Sequence, residues 1–148
     1  MAADLPGALL FACTQNVIRS PMAATIARHF YGSRVFIASC GVKPGEPDPF
    51  VDIIMDEIGM DMRKHRPQSF ADLEDSSFDI VVSLSPEAHH RALEMTRTMA
   101  IEAEYWPTMD PSAAMGSREQ ILDAYRDVRD VLMRRIRGRF GVHGARGV

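Results

Sequence analysis

Residues 8–21 read Ala8-Leu9-Leu10-Phe11-Ala12-Cys13-Thr14-Gln15-Asn16-Val17-Ile18-Arg19-Ser20-Pro21, an order that predicts a strand, a tight loop and a helix. The apolar run before Cys13 suits a buried strand. The run Met22-Ala23-Ala24-Thr25-Ile26-Ala27-Arg28 is helix-forming, with Met22, Ala23, Ile26, Ala27 and Phe30 on one face. Ser20 is placed to cap that helix through its hydroxyl, with Pro21 at the first helical position. A helix N-terminus presents unpaired backbone N–H groups and attracts anions. A loop that starts with a cysteine and ends with an arginine at such a terminus is a site for a phosphate dianion over a thiolate.

Outward from this stretch, short apolar runs alternate with helical patterns. Strands are predicted over 7–13, 34–39, 79–84 and 100–106. Helices are predicted over 20–31, from Asp48-Pro49 to Gly59, over 86–96 and over 118–137, with a short one over 69–74. Val51, Ile54, Met55 and Ile58 form the buried face of the second helix, and Ile121, Tyr125, Val128, Leu132 and Ile136 that of the last. Residues 107–116 read as an exposed loop. Alternation of this kind predicts an α/β fold: a four-stranded parallel sheet with helices on both faces and the phosphate loop after the first strand.

The chain has 148 residues, long enough for one domain with its own core. The expectation is a single domain over 1–148, with a core over about 7–140 and a flexible tail over 141–148. A formal net charge of −3 gives no bulk attraction to nucleic acid or to an anionic membrane. Two distant cysteines do not suggest a disulfide framework. The N-terminus lacks a basic region and the apolar run after it is short, which predicts neither a signal peptide nor a membrane span and places the protein in the cytoplasm. Arg134, Arg135, Arg137 and Arg139 read as cations complementing a helix dipole. His89 and His90 are helix neighbours that face different ways, so they read as solvated histidines and no metal or cofactor is implied. The methionines, at helical spacing, read as core filler.

The loop from Cys13 to Pro21 resembles the phosphate-binding loop of low-molecular-weight protein tyrosine phosphatases. The resemblance runs over roughly residues 9–140. It includes the turn Ser39-Cys40-Gly41, the segment Gly45-Glu46-Pro47-Asp48-Pro49, the stretch Gly59-Met60-Asp61…His65-Arg66 and the pair Asp110-Pro111. It implies a phosphomonoesterase acting through a phosphocysteine on a phosphorylated protein or a small phosphomonoester, with inorganic phosphate and other oxyanions as ligands. Cys13 is then the nucleophile. Arg19 clamps two phosphate oxygens with its planar fork of donors. The backbone of Thr14, Gln15, Asn16, Val17 and Ile18 surrounds the rest. Ser20 donates to the thiolate and eases its departure, and Asp110 protonates the leaving oxygen. Of the two Asp-Pro pairs, Asp48-Pro49 is accounted for as a helix start, which leaves Asp110-Pro111 for catalysis. By the same resemblance Asn16, Ser39 and His65 hold the loop from behind.

Three departures from the family pattern bear on function. Gln15 stands where the family has glycine, so a left-handed backbone there would be strained. Ile18 stands where a second cysteine protects the nucleophile. Val42, Lys43, Ser112 and Ala113 stand where aromatic residues wall the substrate slot, so phosphotyrosine is expected to be a mediocre substrate. A sister branch reduces arsenate with the same loop and two further cysteines near the third strand and its helix, but residues 80–95 contain none. Cys40, the only spare thiol, reads as a small buried strand residue. An arsenate reductase-like enzyme and a phosphate- or phosphoprotein-binding module of low turnover stay open beside the phosphatase.

Overall fold

A computed structural model describes residues 5–74 and 77–141 of the protein. Strands β1 (Ala8–Cys13), β2 (Phe36–Gly41), β3 (Ile80–Ser83) and β4 (Glu102–Tyr105) form one parallel sheet in the order β2-β1-β3-β4. The helices are α1 (Arg19–Tyr31), α2 (Pro49–Asp56), α3 (Pro86–Met95) and α4 (Arg118–Phe140). The α/β architecture is the expected one.

Alternation along β1 explains the layers. Leu9, Phe11 and Cys13 pack into the larger core with Met22 and Ile26 of α1, Ile54 of α2, and Leu132 and Ile136 of α4. Leu10 and Ala12 point the other way and join Cys40, Phe70, Phe78 and the α3 residues Ala88 and Ala92. The chain leaves β1 toward β2 and later returns to place β3 on the other side of β1. The loop after β1 therefore sits at the point where strand order reverses, the crevice in which parallel sheets bind ligands.

The local signal read for α2 holds, and α3 and α4 start on side-chain caps of their own. Asp48 Oδ1 accepts from the Phe50 N–H at 2.9 Å, with Pro49 opening α2. Ser85 Oγ accepts from the Ala88 N–H at 3.3 Å ahead of Pro86. Ser117 and Gln120 form a reciprocal capping box at the start of α4. Gly59, with φ of 73°, supplies the left-handed turn that ends the second helical segment.

Four local expectations are corrected. Helix α1 begins at Arg19 with Ile18 in the capping position, and no side chain caps it; the Ser20 hydroxyl is engaged in the loop instead. Residues 69–74 form a turn, because Ser69 bridges Gly41 at the sheet edge and exchanges hydrogen bonds with Asp72. β2 starts at Phe36 because the Arg34 and Val35 N–H groups both return to the Tyr31 carbonyl, and it runs on through Gly41. Helix α4 extends to Phe140, with Leu122 rather than Ile121 fully turned inward. The Gly141 carbonyl accepts from the Tyr31 hydroxyl; residues 142–148, most of the expected flexible tail, lie outside the described residues. Among the described residues no helix is long and apolar enough to cross a membrane.

Candidate active site

Cys13 closes β1 and is buried to 2% exposure at the floor of a cavity of 360 Å³. The cavity is lined by every loop residue from Cys13 to Arg19 except Asn16, together with Glu87, Asp110 and Ser112. The loop is held open from outside. The carbonyls of Cys13, Thr14 and Gln15 accept from the N–H groups of Val42, Lys43 and Gly45, at 3.2, 2.9 and 3.0 Å. The next carbonyl, that of Asn16, accepts from His65 Nε2 at 2.8 Å. In a planar trans peptide the N–H points opposite to the carbonyl. Four successive carbonyls drawn outward thus turn the N–H groups of Thr14, Gln15, Asn16 and Val17 to the inner side of the loop, an arrangement that binds anions.

Asn16 fixes this shape. Among the described residues it is the one non-glycine residue with a positive φ, 57°, a conformation asparagine tolerates better than most. Gln15 is free of that strain, so the cost expected at the glycine-replacing position does not arise. Asn16 is fully buried. Its Nδ2 donates to Ser20 Oγ and Ser39 Oγ, both at 2.9 Å, and its Oδ1 accepts from the Gln68 N–H at 2.9 Å. Gly41 is the partner surface: a Cβ there would lie 2.7 Å from the Asn16 nitrogen, so β2 can pass behind the loop only as glycine. The Gln15 side chain is exposed at the cavity rim and lies against Gly45.

Ser20 Oγ lies 3.0 Å from Cys13 Sγ and 3.2 Å from the Cys40 carbonyl oxygen, and the Ser20 N–H reaches Cys13 Sγ at 3.4 Å. The hydroxyl has one proton. With a thiol, Cys13 donates to Ser20 and Ser20 donates to the carbonyl. With a thiolate, the Ser20 proton turns to sulfur. Arg19 is buried to 8% exposure, and its Nη1 donates to the Thr108 carbonyl at 3.0 Å. Its Nη2 lies 3.8 Å from Asp110 Oδ2. Asp110 Oδ1 is taken up by Ser112, accepting from its N–H at 3.0 Å and its hydroxyl at 2.7 Å in a short 3-10 turn over Pro111–Ala113. That leaves Oδ2 facing Arg19. Asp48 is engaged elsewhere, accepting from the Tyr125 hydroxyl at 2.6 Å as well as capping α2.

His65 is held in a desolvated position. Burial pushes its imidazole below the usual range, opposed by the bond to the Asn16 carbonyl and reinforced by Arg28 and Arg66. Cys40 lies in the opposite core from Cys13, and burial, then Cys13, pushes its thiol up.

Every residue expected at the loop is brought together with Asp110, although 91 positions separate Arg19 from Asp110 in the chain. Glu87 was not foreseen. A glutamate after Ser85-Pro86 reads as a helix first-turn residue, and only the shared carboxyl end of neighbouring parallel strands carries it to the cavity. Phe50 and Trp106 stay out of the cavity: Phe50 packs on Tyr125 with ring centroids 5.5 Å apart, and Trp106 packs on Phe11 at 6.2 Å. His89 departs from the solvated reading, being half-buried and stacked on Tyr105 with centroids 4.5 Å apart.

The model of the family described as low molecular weight phosphotyrosine protein phosphatase matches residues 8–140. An arsenate reductase of Bacillus subtilis is 29% identical over 133 residues, 87% of this chain and 91% of that protein. A glutaredoxin arsenate reductase of Synechocystis is 24% identical over 128 residues, 86% of this chain and 92% of that protein. Among solved structures, the tyrosine phosphatase Wzb of Escherichia coli K30 in complex with sulphate superposes with a TM-score of 0.75 at 16% identity, covering 90% of this chain and 96% of that one. The tyrosine phosphatase amsI of Erwinia amylovora gives 0.73 at 18% identity, covering 91% of each chain. At such identities the superpositions speak to the fold.

Proposed function

This chain belongs to the low molecular weight phosphotyrosine protein phosphatase family, and on that premise we propose that it hydrolyses phosphomonoesters through a phosphocysteine formed on Cys13. The observation that carries the reading is the convergence of Cys13, Arg19 and Asp110 on one cavity beneath inward-turned loop amides. The thiolate attacks phosphorus, forming the S–P bond as the P–O bond to the leaving group breaks. Arg19 and the loop N–H groups hold the equatorial oxygens. A protonated Asp110 gives its proton to the leaving oxygen from Oδ2, the atom Ser112 leaves unoccupied. The resulting carboxylate then takes a proton from water as that water attacks phosphorus and the S–P bond breaks. Ser20 donates to the returning thiolate. Asn16, Ser39 and His65 act by holding the loop.

The substrate is a phosphorylated protein side chain or a small phosphomonoester, and phosphate and other oxyanions bind as ligands. Among the described residues the rim carries no aromatic side chain. Ring stacking worth roughly 0.5–1.5 kcal/mol per partner is therefore missing for phosphotyrosine. Arsenate reduction, the activity named for the Bacillus subtilis relative, is a weaker reading. The chain has two cysteines, and the second lies across the sheet from the first.

Replacing Cys13→Ser is expected to abolish hydrolysis of p-nitrophenyl phosphate while phosphate binding persists. Replacing Asp110→Asn is expected to slow alkyl phosphates by on the order of 10²–10⁴ and activated aryl phosphates much less. Near wild-type turnover by the serine variant, or arsenate reduction outpacing ester hydrolysis, would refute the proposal.

A further inference from the structure

The cavity contains a second carboxylate that the chemistry above leaves idle. Glu87 stands in the first turn of α3 and lines the cavity together with Asp110. Its Oε1 accepts from Thr14 Oγ1 at 3.1 Å, so the residue next to the nucleophile ties it to the rim. Asp110 has Arg19 beside it, but among the described residues Glu87 makes no ion pair.

A fixed carboxylate facing a phosphate dianion is repulsive, and a neutral leaving group does nothing to offset it. The helix dipole explains why α3 tolerates an acid in its first turn. It does not explain an acid turned to the rim of an anion site. The phosphate belongs inside the loop, so Glu87 and Asp110 meet the leaving group. A cation on the leaving group converts the repulsion into attraction. The other polar side chains at the rim, Gln15 and Ser112, are uncharged and bring no cation of their own to Glu87.

We propose that Glu87 is a specificity-determining residue that selects phosphomonoesters whose leaving group carries an amine or guanidine cation close to the ester oxygen. This rests on the phosphatase reading of the same site. Thr14 orients the carboxylate, and the phosphate itself remains the business of the loop and Arg19.

Two alkyl phosphates of equal shape test this, 2-aminoethyl phosphate and propyl phosphate. Their ratio of kcat/KM, compared between the wild type and Glu87→Gln, cancels intrinsic differences in leaving-group reactivity. The cationic preference is expected to fall roughly three- to tenfold in the glutamine variant, mainly through KM. Glu87→Asp should retain part of it, and added salt should erode it in the wild type. An unchanged ratio in Glu87→Gln overturns the proposal. Absence of turnover with either compound would count against the phosphatase reading alone. The same comparison made as Kd ratios on Cys13→Ser, with and without Glu87→Gln, then decides the role of Glu87: a matching three- to tenfold fall supports it and equal ratios overturn it.

Discussion

Asn16 shows how much of the site hangs on one side chain. It spends both amide protons on Ser20 and Ser39 and its oxygen on the Gln68 N–H, while its own backbone sits in the left-handed region. Asn16→Ala would strand these buried partners and place an alanine at positive φ. Each unsatisfied buried group costs about 1–3 kcal/mol and the backbone about 1–2 kcal/mol more, with partial relaxation expected. A loss of about 2–4 kcal/mol in urea unfolding is therefore expected, with a large drop in turnover. A variant as stable as the wild type would show that the loop holds itself. The resemblance pointed to Asn16, Ser39 and His65 as the loop's support, but nothing in the sequence revealed which residue takes the strained backbone. Gln15 was the suspect because glycine usually marks such positions. The answer depends on where four outward hydrogen bonds pull the chain.

At the scale of elements, alternation in the sheet decides the fate of the two thiols. Ala12 pairs with Cys40 and Cys13 with Gly41, so the cysteines face opposite cores. Ile18 denies Cys13 a partner within the loop, and the sheet itself stands between Cys13 and Cys40. Once oxidised to the sulfenic acid, Cys13 has no thiol in the chain positioned to trap it as a disulfide, and it proceeds to irreversible states. Prolonged peroxide followed by dithiothreitol should leave most activity lost, and bound phosphate should protect. Full recovery would require the sheet to open. Helix boundaries were legible where one local partner dominates, as at Asp48. They were misread where distant groups compete, as at Ser20, whose hydroxyl is claimed by Cys13, Asn16 and the Cys40 carbonyl. The arginines of α4 also do more than complement a dipole. Arg137 lies over the Phe30 ring at 4.5 Å, and Arg139 pairs with Glu104 at 2.7 Å.

Across the whole molecule, the strand-helix alternation announced the sheet, but only the folded topology brings positions 13, 65, 87 and 110 to one place. The same topology makes stability depend on pH in two windows. His65 is half-buried against the Asn16 carbonyl and its imidazole lies below the ordinary 6.5. The unfolded chain takes up that proton first, so the contribution is complete above about 6.5 and is lost as pH falls through the lowered value. Glu57 joins α2 to α4 through Arg126 and Arg129, at 2.7 and 2.8 Å. These bonds hold its carboxyl down to about 2 from the ordinary 4.5. Its contribution is present above 4.5 and drains away as pH approaches 2. Urea midpoints in phosphate-free buffer from pH 8 downward should therefore fall twice, first through the His65 window and then more steeply with the carboxylates. His65→Gln, which keeps a side-chain N–H donor but cannot titrate, should flatten the first fall and leave the second. Glu57→Gln should blunt the second and leave the first. A wild-type midpoint unchanged between pH 7.5 and 5 would mean that the imidazole titrates freely, and that the Asn16 carbonyl is held outward by some other group.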